Sequence, residues 1–199
     1  MQLEDHPTQG RKGEAVFSWS KLAEDYLTLS QSQPETILTY CVYCKGGREK
    51  KLAETIVQRY PETLAMPILQ DKHKSVNSKR SLVQVPMFPG YVFIYKQTNL
   101  DGRALRILPD VFKILRSEED MLELRHEDRD YALWFLKHRG HIQCSKATRI
   151  GDKVRIVEGP LKDLDGCIKE ISKKNRNARV RIQFMGQASV VWLPFEWVE

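Results

Sequence analysis

The spacing of short apolar runs between residues 151 and 199 limits the fold of this chain more than any other feature. The runs Val154–Val157, Cys167–Ile171, Ala178–Phe184 and Ser189–Leu193 are separated by turn residues such as glycine, aspartate and asparagine. Strands this short bury a shared core by curling into a small closed or nearly closed barrel. We therefore expect residues 151–199 to form a separate small β-domain.

Residues 36–140 show a different pattern, in which strands and helices are mixed. An apolar strand over Ile37–Cys44 precedes a helical stripe over Arg48–Tyr60, which Pro61 ends. A hairpin with a polar, basic tip follows, and a helix over Glu127–His138 closes the region. This pattern predicts an α+β domain.

Two segments lack such periodicity. Residues 1–35 contain few large apolar residues and predict a flexible N-terminal extension, and residues 141–150 predict a linker. No run of about 18 apolar residues occurs, so we expect no membrane segment. The polar N-terminus lacks the basic-then-apolar order of a secretory leader, which predicts a cytoplasmic protein.

The sequence offers little for a metal, a cofactor or catalysis. Cys41 and Cys44 have the spacing of a metal half-site, but residues three apart on a strand point to opposite faces. His138, His141 and Cys144 form a loose cluster without an evident fourth ligand. No phosphate-binding glycine loop, nucleophile elbow or zinc-protease helix motif occurs. We expect no metal, no cofactor and no enzymatic activity.

Two motifs resemble those of a known family. The stretch from Gly151 to Ile168, with turns at Gly159 and Gly166, resembles the KOW motif of transcription elongation factors and some ribosomal proteins. Upstream, residues 85–93 (VPMFPGYVF) closely resemble the Phe-Pro-Gly-Tyr strand of the NusG N-terminal (NGN) domain. On these motifs, residues 37–199 are identified as a member of the NusG superfamily. The resemblance implies an NGN α/β sandwich, with an antiparallel sheet flanked by helices, followed by a five-stranded SH3-like KOW barrel.

The resemblance also implies a partner. In similar proteins an apolar surface of the NGN domain binds the clamp helices of the largest RNA polymerase subunit. By motif, the residues that would bind polymerase in this chain are Tyr43, Phe88, Tyr91 and Phe93. Aromatic side chains suit such an interface, although strand aromatics are also ordinary core residues. Residues 40–45 (YCVYCK) are most similar to the RfaH subgroup. This similarity implies that Lys45 contacts DNA.

Basic residues mark two further surfaces in a chain whose net charge is +6. The basic residues of the hairpin tip are Lys72, His73, Lys74, Lys79 and Arg80. They would contact the phosphates of non-template or upstream DNA, or the tip would be an ordinary solvated loop. In the predicted barrel, six cations stand against the single acid Glu170 between residues 169 and 181, giving +5. They are Lys169, Lys173, Lys174, Arg176, Arg179 and Arg181. This basic stripe predicts RNA binding, with a charged strand edge that limits aggregation as the other interpretation.

Residues 173–180 most resemble LoaP, a subgroup of antiterminators of long operons that recognise an RNA hairpin in the leader transcript. We therefore expect a monomeric, specialised processive antiterminator that binds polymerase and a leader nucleic acid. The alternative is a general NusG-like factor that links polymerase to Rho or the ribosome. In such factors a Gly-Pro loop, similar to Gly159-Pro160-Leu161, binds the protein partners.

Overall fold

The computed structural model describes residues 12–76, 79–116, 121–184 and 186–198, with side chains described outside 12–20 and 76–80. The elements of the first domain are α1 (Lys12–Ser32), β1 (Leu38–Cys44), α2 (Glu49–Arg59), β2 (Leu64–Pro67), β3 (Leu69–Val76), β4 (Lys79–Pro86), β5 (Tyr91–Lys96), α3 (Gly102–Arg106), β6 (Val111–Ile114), α4 (His126–Lys137) and β7 (His141–Ile142).

An antiparallel sheet in the order β2-β5-β1-β6 forms the centre of this domain. Because side chains alternate along a strand, each face of the sheet has its own core. Val92 and Ile94 pack with residues of α2 and α3 on one face, and Phe93 and Tyr95 pack with Phe135 of α4 on the other. Helices therefore flank both faces, which confirms the predicted sandwich.

A second, smaller sheet in the order β4-β3-β7 extends from this sandwich. The β3–β4 pair is the predicted hairpin, and its register runs from Leu69 opposite Pro86 to Val76 opposite Lys79. At its base, Asp71 accepts a hydrogen bond from the Cys144 amide at 2.8 Å and pairs with His141 at 2.8 Å. These contacts connect the hairpin to the chain segment that leads into the second domain.

The second domain consists of β8 (Ser145–Ile150), β9 (Lys153–Glu158), α5 (Pro160–Asp163), β10 (Ile168–Ser172), β11 (Asn177–Phe184) and β12 (Gln187–Trp197). Its five strands curl in the order β10-β11-β12-β8-β9. Alternate residues of β11, namely Ala178, Val180, Ile182 and Phe184, are buried. This is the predicted five-stranded KOW-type barrel.

The barrel begins earlier than residue 151, because Ser145–Ile150 is a strand and not a linker. β8 pairs with β9 and, in parallel, with the end of β12. Its inward residues are the small Ser145 and Ala147, both buried. A strand whose core-facing residues are this small has almost no apolar period in its sequence, which explains why the pattern indicated a linker.

Residues 1–35 were predicted to be a flexible extension, but Lys12–Ser32 form a helix. Residues 1–11 lie outside the described part. Ala23 and Tyr26 are buried against the sandwich, and the Tyr26 hydroxyl donates a hydrogen bond to the Glu62 carbonyl at 2.6 Å. The Arg139 guanidinium contacts the Glu24 carboxylate through two nitrogens. Apolar residues on one helical stripe explain the docking. Among the described residues, no helix is long and apolar enough to span a membrane.

Candidate functional site

The aromatic residues expected to bind polymerase lie on one face of the central sheet. Tyr43 of β1 stands directly opposite Tyr91 of β5, with ring centroids 5.2 Å apart. Tyr43 is 40% exposed, and Tyr91 and Phe88 are half-buried. Phe93 is on the same face but fully buried, in edge-to-face contact with Phe135. The first three therefore reach a surface, whereas Phe93 is a core residue in this arrangement.

The turn before β5 explains the Phe-Pro-Gly-Tyr motif physically. Gly90 has a φ of +86°, and a Cβ there would lie 2.7 Å from the Tyr43 ring. Only glycine accepts both the left-handed backbone and this close approach. The Gly90 amide donates a hydrogen bond to the buried Glu49 carboxylate at 2.7 Å. Burial acts to raise the pKa of Glu49, but backbone N–H donors outweigh it and the pKa is lowered. The charged carboxylate thus fixes the turn that positions Tyr43 and Tyr91.

The structure adds Phe112 to this face, a residue that the sequence analysis missed. It is 65% exposed on the edge strand β6, and its ring centroid lies 5.9 Å from that of Tyr43. Ile107, five residues earlier in the chain, is 76% exposed. In the sequence, Phe112 is an aromatic residue on a short strand with Lys113 beside it. This pattern does not distinguish a surface position from a core position. We refer to Tyr43, Phe88, Tyr91, Phe93 and Phe112 as the aromatic face.

The barrel covers part of the aromatic face through Phe184. The Phe184 ring centroid lies 5.3 Å from that of Phe93, 6.0 Å from Phe88 and 6.4 Å from Tyr91. Phe184 is itself buried, and it joins the cores of the two domains into one cluster. Tyr43 and Phe112 remain uncovered. The aromatic face is therefore divided into an open part and a part under the barrel.

A polar contact holds the barrel at a second point. Asp163 of α5 accepts hydrogen bonds from Trp134 Nε1 at 3.1 Å, from Lys137 at 2.9 Å and from His138 Nε2 at 3.0 Å. Burial acts to raise the pKa of Asp163, but these donors outweigh it and the pKa is lowered. Burial lowers the pKa of His138 in spite of the carboxylate, which favours the neutral imidazole. Asp163 of the barrel therefore contacts three side chains at the end of α4 in the sandwich.

A cavity of about 520 Å³ remains between the domains. Tyr43, Phe88 and Tyr91 line it from the sandwich, and Phe184 lines it from the barrel. Lys113 lies at the same cavity. The Tyr43, Phe88 and Tyr91 side chains therefore line a cavity beside the contact between the two domains.

The cations of the hairpin and of β1 occupy different places. Lys72 and Lys74 are exposed on β3, whereas His73 is half-buried with its side chain toward the other face. Lys79 and Arg80 pair by backbone with Val76 and Ser75; their side chains lie outside the described part. Lys45 is exposed directly after β1, where its amide donates a hydrogen bond to the Asp110 carbonyl at 2.9 Å. Lys45 therefore lies beside Tyr43, on the strand end that carries the aromatic face.

The barrel brings its basic stripe together on one side. Arg179 and Arg181 point outward from β11, while Lys173, Lys174 and Arg176 are exposed at the turn before it. Lys169 is also exposed, at the irregular position where β10 shifts register against β11. Arg179 pairs with Glu170 at 3.0 Å, and Lys173 donates to the Asp152 carbonyl. These contacts are largely solvent-exposed and leave a positive surface suited to phosphates.

The sulfur and imidazole groups are not assembled into a metal site in the described residues. Cys41 belongs to the core on the α4 face of the sheet, and Cys44 to the core on the α2 face. Burial raises the pKa of both thiols. His138 contacts Asp163, whereas His141 contacts Asp71. No group of three or more potential metal ligands occurs among the residues that the structure describes.

Comparison with known proteins shows what the sequence is similar to. Residues 40–132 match the family model "NusG: Transcription termination factor nusG". A Thermus thermophilus protein named "Transcription termination/antitermination protein NusG" is 23% identical over 176 residues, which cover 80% of this chain and 96% of the relative. The protein of the same name from Treponema pallidum is 28% identical over 134 residues, covering 62% of this chain and 72% of the relative. A solved structure, "Domain interaction in Thermotoga maritima NusG", is 23% identical, covers 79% of this chain and 93% of its own, and has a TM-score of 0.46.

The α/β sandwich and the barrel that follows it define a two-domain protein of the NGN–KOW class. The matched sequence spans the Phe-Pro-Gly-Tyr turn and the strands that carry the aromatic face. These matches confirm the resemblance of the chain to the NusG superfamily.

Proposed function

We propose that this chain is a specialised NusG-type elongation factor, a processive antiterminator that binds RNA polymerase through the sandwich and leader RNA through the barrel. NusG proteins are transcription factors and not enzymes, and we assign no catalytic step. The observation that carries the proposal is the presence, in one chain, of a partly exposed aromatic face and a separate basic strand face. The protein acts as a monomer in the cytoplasm, where bacterial transcription takes place.

The partner of the aromatic face, in this proposal, is the pair of clamp helices in the largest polymerase subunit. Tyr43 and Phe112 are large rings exposed in a single patch. A few aromatic anchors supply most of the free energy of such an interface. Phe88 and Tyr91 join the patch when the barrel moves away, because Phe184 covers them in the docked state. Phe93 supports the patch from the core. Polymerase binding and barrel docking therefore compete for the same rings.

The partner of the barrel is an RNA hairpin in the leader transcript. Arg179 and Arg181 lie on one strand face, and Lys173, Lys174 and Arg176 continue it at the adjoining turn. Contacts of this kind to phosphates supply affinity and orientation. Lys45 and the hairpin cations are proposed to contact non-template DNA, since Lys45 lies beside the polymerase-binding patch.

The general adaptor function requires an accessible Gly-Pro loop. In the docked state Pro160 and Leu161 are buried, and the Leu161 amide donates a hydrogen bond to Ser145 Oγ at 3.0 Å. Gly159 has a φ of +96°, and a Cβ there would lie 2.9 Å from the Ser145 backbone. This loop is thus occupied in maintaining the barrel, which supports RNA in preference to a protein as the partner of the domain.

Single-round transcription through an intrinsic terminator, with and without the leader of the host operon, tests the proposal. We expect readthrough only when both the protein and the leader are present. Arg179→Ala with Arg181→Ala should abolish the leader-dependent part, whereas Lys50→Ala with Lys51→Ala, which removes two exposed charges from α2, should not. Equal effects on templates with and without the leader would favour the general factor instead.

A further inference from the structure

The outer face of the barrel carries an exposed tryptophan beside the basic strand. Strand pairing places Trp192 of β12 opposite Arg179 of β11, and Val190 opposite Arg181. Trp192 is 40% exposed and Val190 is 55% exposed, while Val191 between them is buried. Directly paired side chains on adjacent strands have Cβ atoms about 4.5–5.5 Å apart. The indole and the two guanidinium groups therefore share one solvent-facing surface.

The other tryptophans whose side chains are described have partners within the protein. Trp134 donates a hydrogen bond to Asp163, and the Trp197 ring lies under the Arg149 guanidinium, 4.6 Å from its central carbon. Within the described residues, no aromatic ring or cation stacks on Trp192. Folding alone does not favour leaving 40% of a tryptophan exposed to water. The exposed indole is thus a candidate contact for a ligand.

The two arginines beside the indole differ in their surroundings. Arg179 pairs with Glu170 on β10 at 3.0 Å, across the strands. Arg181 is exposed, and no carboxylate among the described residues lies within ion-pair distance of it. A guanidinium in this position offers several N–H donors to a phosphate. The surface therefore combines a flat aromatic group with an adjacent phosphate-binding group.

We propose that Trp192 stacks on an unpaired base of the RNA and that Arg181 contacts a neighbouring phosphate; this inference rests on the proposed RNA-binding function of the barrel. Bases in loops and bulges have accessible faces, whereas bases within a stem are covered by their neighbours. Stacking on an aromatic ring beside a cationic groove is how proteins bind single-stranded nucleotides. The barrel thus recognises a loop or bulge, and its remaining cations contact the phosphates of the stem.

Fluorescence anisotropy at low salt, with the full chain and two labelled RNAs, tests this inference. One probe is a stem-loop with a loop of adenosines, and the other is a blunt duplex with the same stem sequence. We expect Trp192→Ala to weaken stem-loop binding by about 5- to 150-fold, the range of stacking on one base, and to leave duplex binding unchanged. Trp192→Phe should retain most of the affinity. Ile150→Ala, which removes another exposed apolar side chain of the barrel, should change neither probe.

Each other outcome overturns a defined statement. If Trp192→Ala binds the stem-loop like the unmodified chain while the Arg179→Ala, Arg181→Ala variant loses it, the barrel binds RNA but Trp192 does not stack. If the unmodified chain binds neither probe, the proposed RNA-binding function fails and the inference fails with it. If Trp192→Ala weakens only the complex with polymerase, the indole contacts a protein and the stacking inference is wrong.

Discussion

Replacing Phe184 with alanine is expected to release the barrel from the sandwich. The Phe184 ring contacts Phe88, Tyr91 and Phe93 at centroid distances of 5.3 to 6.4 Å, all within the range of favourable aromatic pairs. Each such pair contributes roughly 0.5–1.5 kcal/mol beyond burial, so the three together stabilise docking by roughly 1.5–4.5 kcal/mol. Even a loss of about 2 kcal/mol raises the ratio of undocked to docked protein about 30-fold.

The indole N–H of Trp134 offers a direct readout of docking, because it donates a hydrogen bond to Asp163 across the domain boundary. In a two-dimensional ¹⁵N NMR spectrum its signal should move when Phe184→Ala undocks the barrel. Binding to polymerase should tighten at the same time, since the apparent affinity is reduced by the fraction of molecules in which the rings are covered. The matched control is Phe112→Ala, which should weaken polymerase binding and leave the Trp134 signal in place.

Phe184→Leu separates docking from folding of the barrel, because it retains apolar volume at the end of β11 and removes the ring contacts. A folded Phe184→Leu variant with an unchanged Trp134 signal would show that the ring pairs do not hold the domains together. An altered signal without tighter polymerase binding would show that the covered rings are not the polymerase contact. Either result would refute the competition between docking and polymerase binding.

Four further results are expected. Gly90→Ala should lower the free energy of unfolding by more than about 1 kcal/mol, measured by thermal denaturation, because its Cβ would meet the Tyr43 ring and its φ is positive. The pKa of Glu49 is lowered, so its carboxylate contributes to the free energy of unfolding above pH 4.5, and this contribution is lost as the pH falls through the lowered pKa. Glu49→Gln should therefore reduce the loss of stability at acid pH, measured by urea unfolding at several pH values. The pKa of His138 is lowered by burial, so its contribution to the free energy of unfolding is fully present above pH 6.5 and is lost as the pH falls below that value; urea unfolding of the chain and of His138→Gln at several pH values would report this difference. Tyr26→Phe removes a hydrogen bond at 2.6 Å and should speed amide exchange in α1, with a loss of about 1 kcal/mol.

Much of the architecture was predictable because it depends on local patterns. Alternation of side chains along the predicted strand Ile37–Cys44 assigned Cys41 and Cys44 to opposite faces, and they lie in separate cores. The alternation over Ala178–Phe184 likewise predicted that Arg179 and Arg181 share one face, and both point outward from β11. The period of side chains along a strand is sufficient for both statements.

The features that the sequence analysis missed depend on contacts with other elements of the fold. Phe184 looks like the last inward residue of a barrel strand, and only the three-dimensional arrangement brings it to Phe93. Trp192 lies opposite Arg179 through a hairpin register that composition does not reveal. The inward residues of β8 are small, so its sequence shows no apolar pattern typical of a strand. Its pairing with the end of β12 identifies it as a strand.

The parallel pairing of β8 with β12 also sets an order of events during synthesis. Ser145 pairs with Phe195, a residue made 50 positions later. At about 5–20 residues per second, the ribosome needs roughly 2.5–10 seconds to add that length. The sandwich strands precede this interval, whereas the barrel cannot close until β12 has emerged. A newly made chain therefore presents its uncovered aromatic rings for some seconds before its own barrel can dock on them.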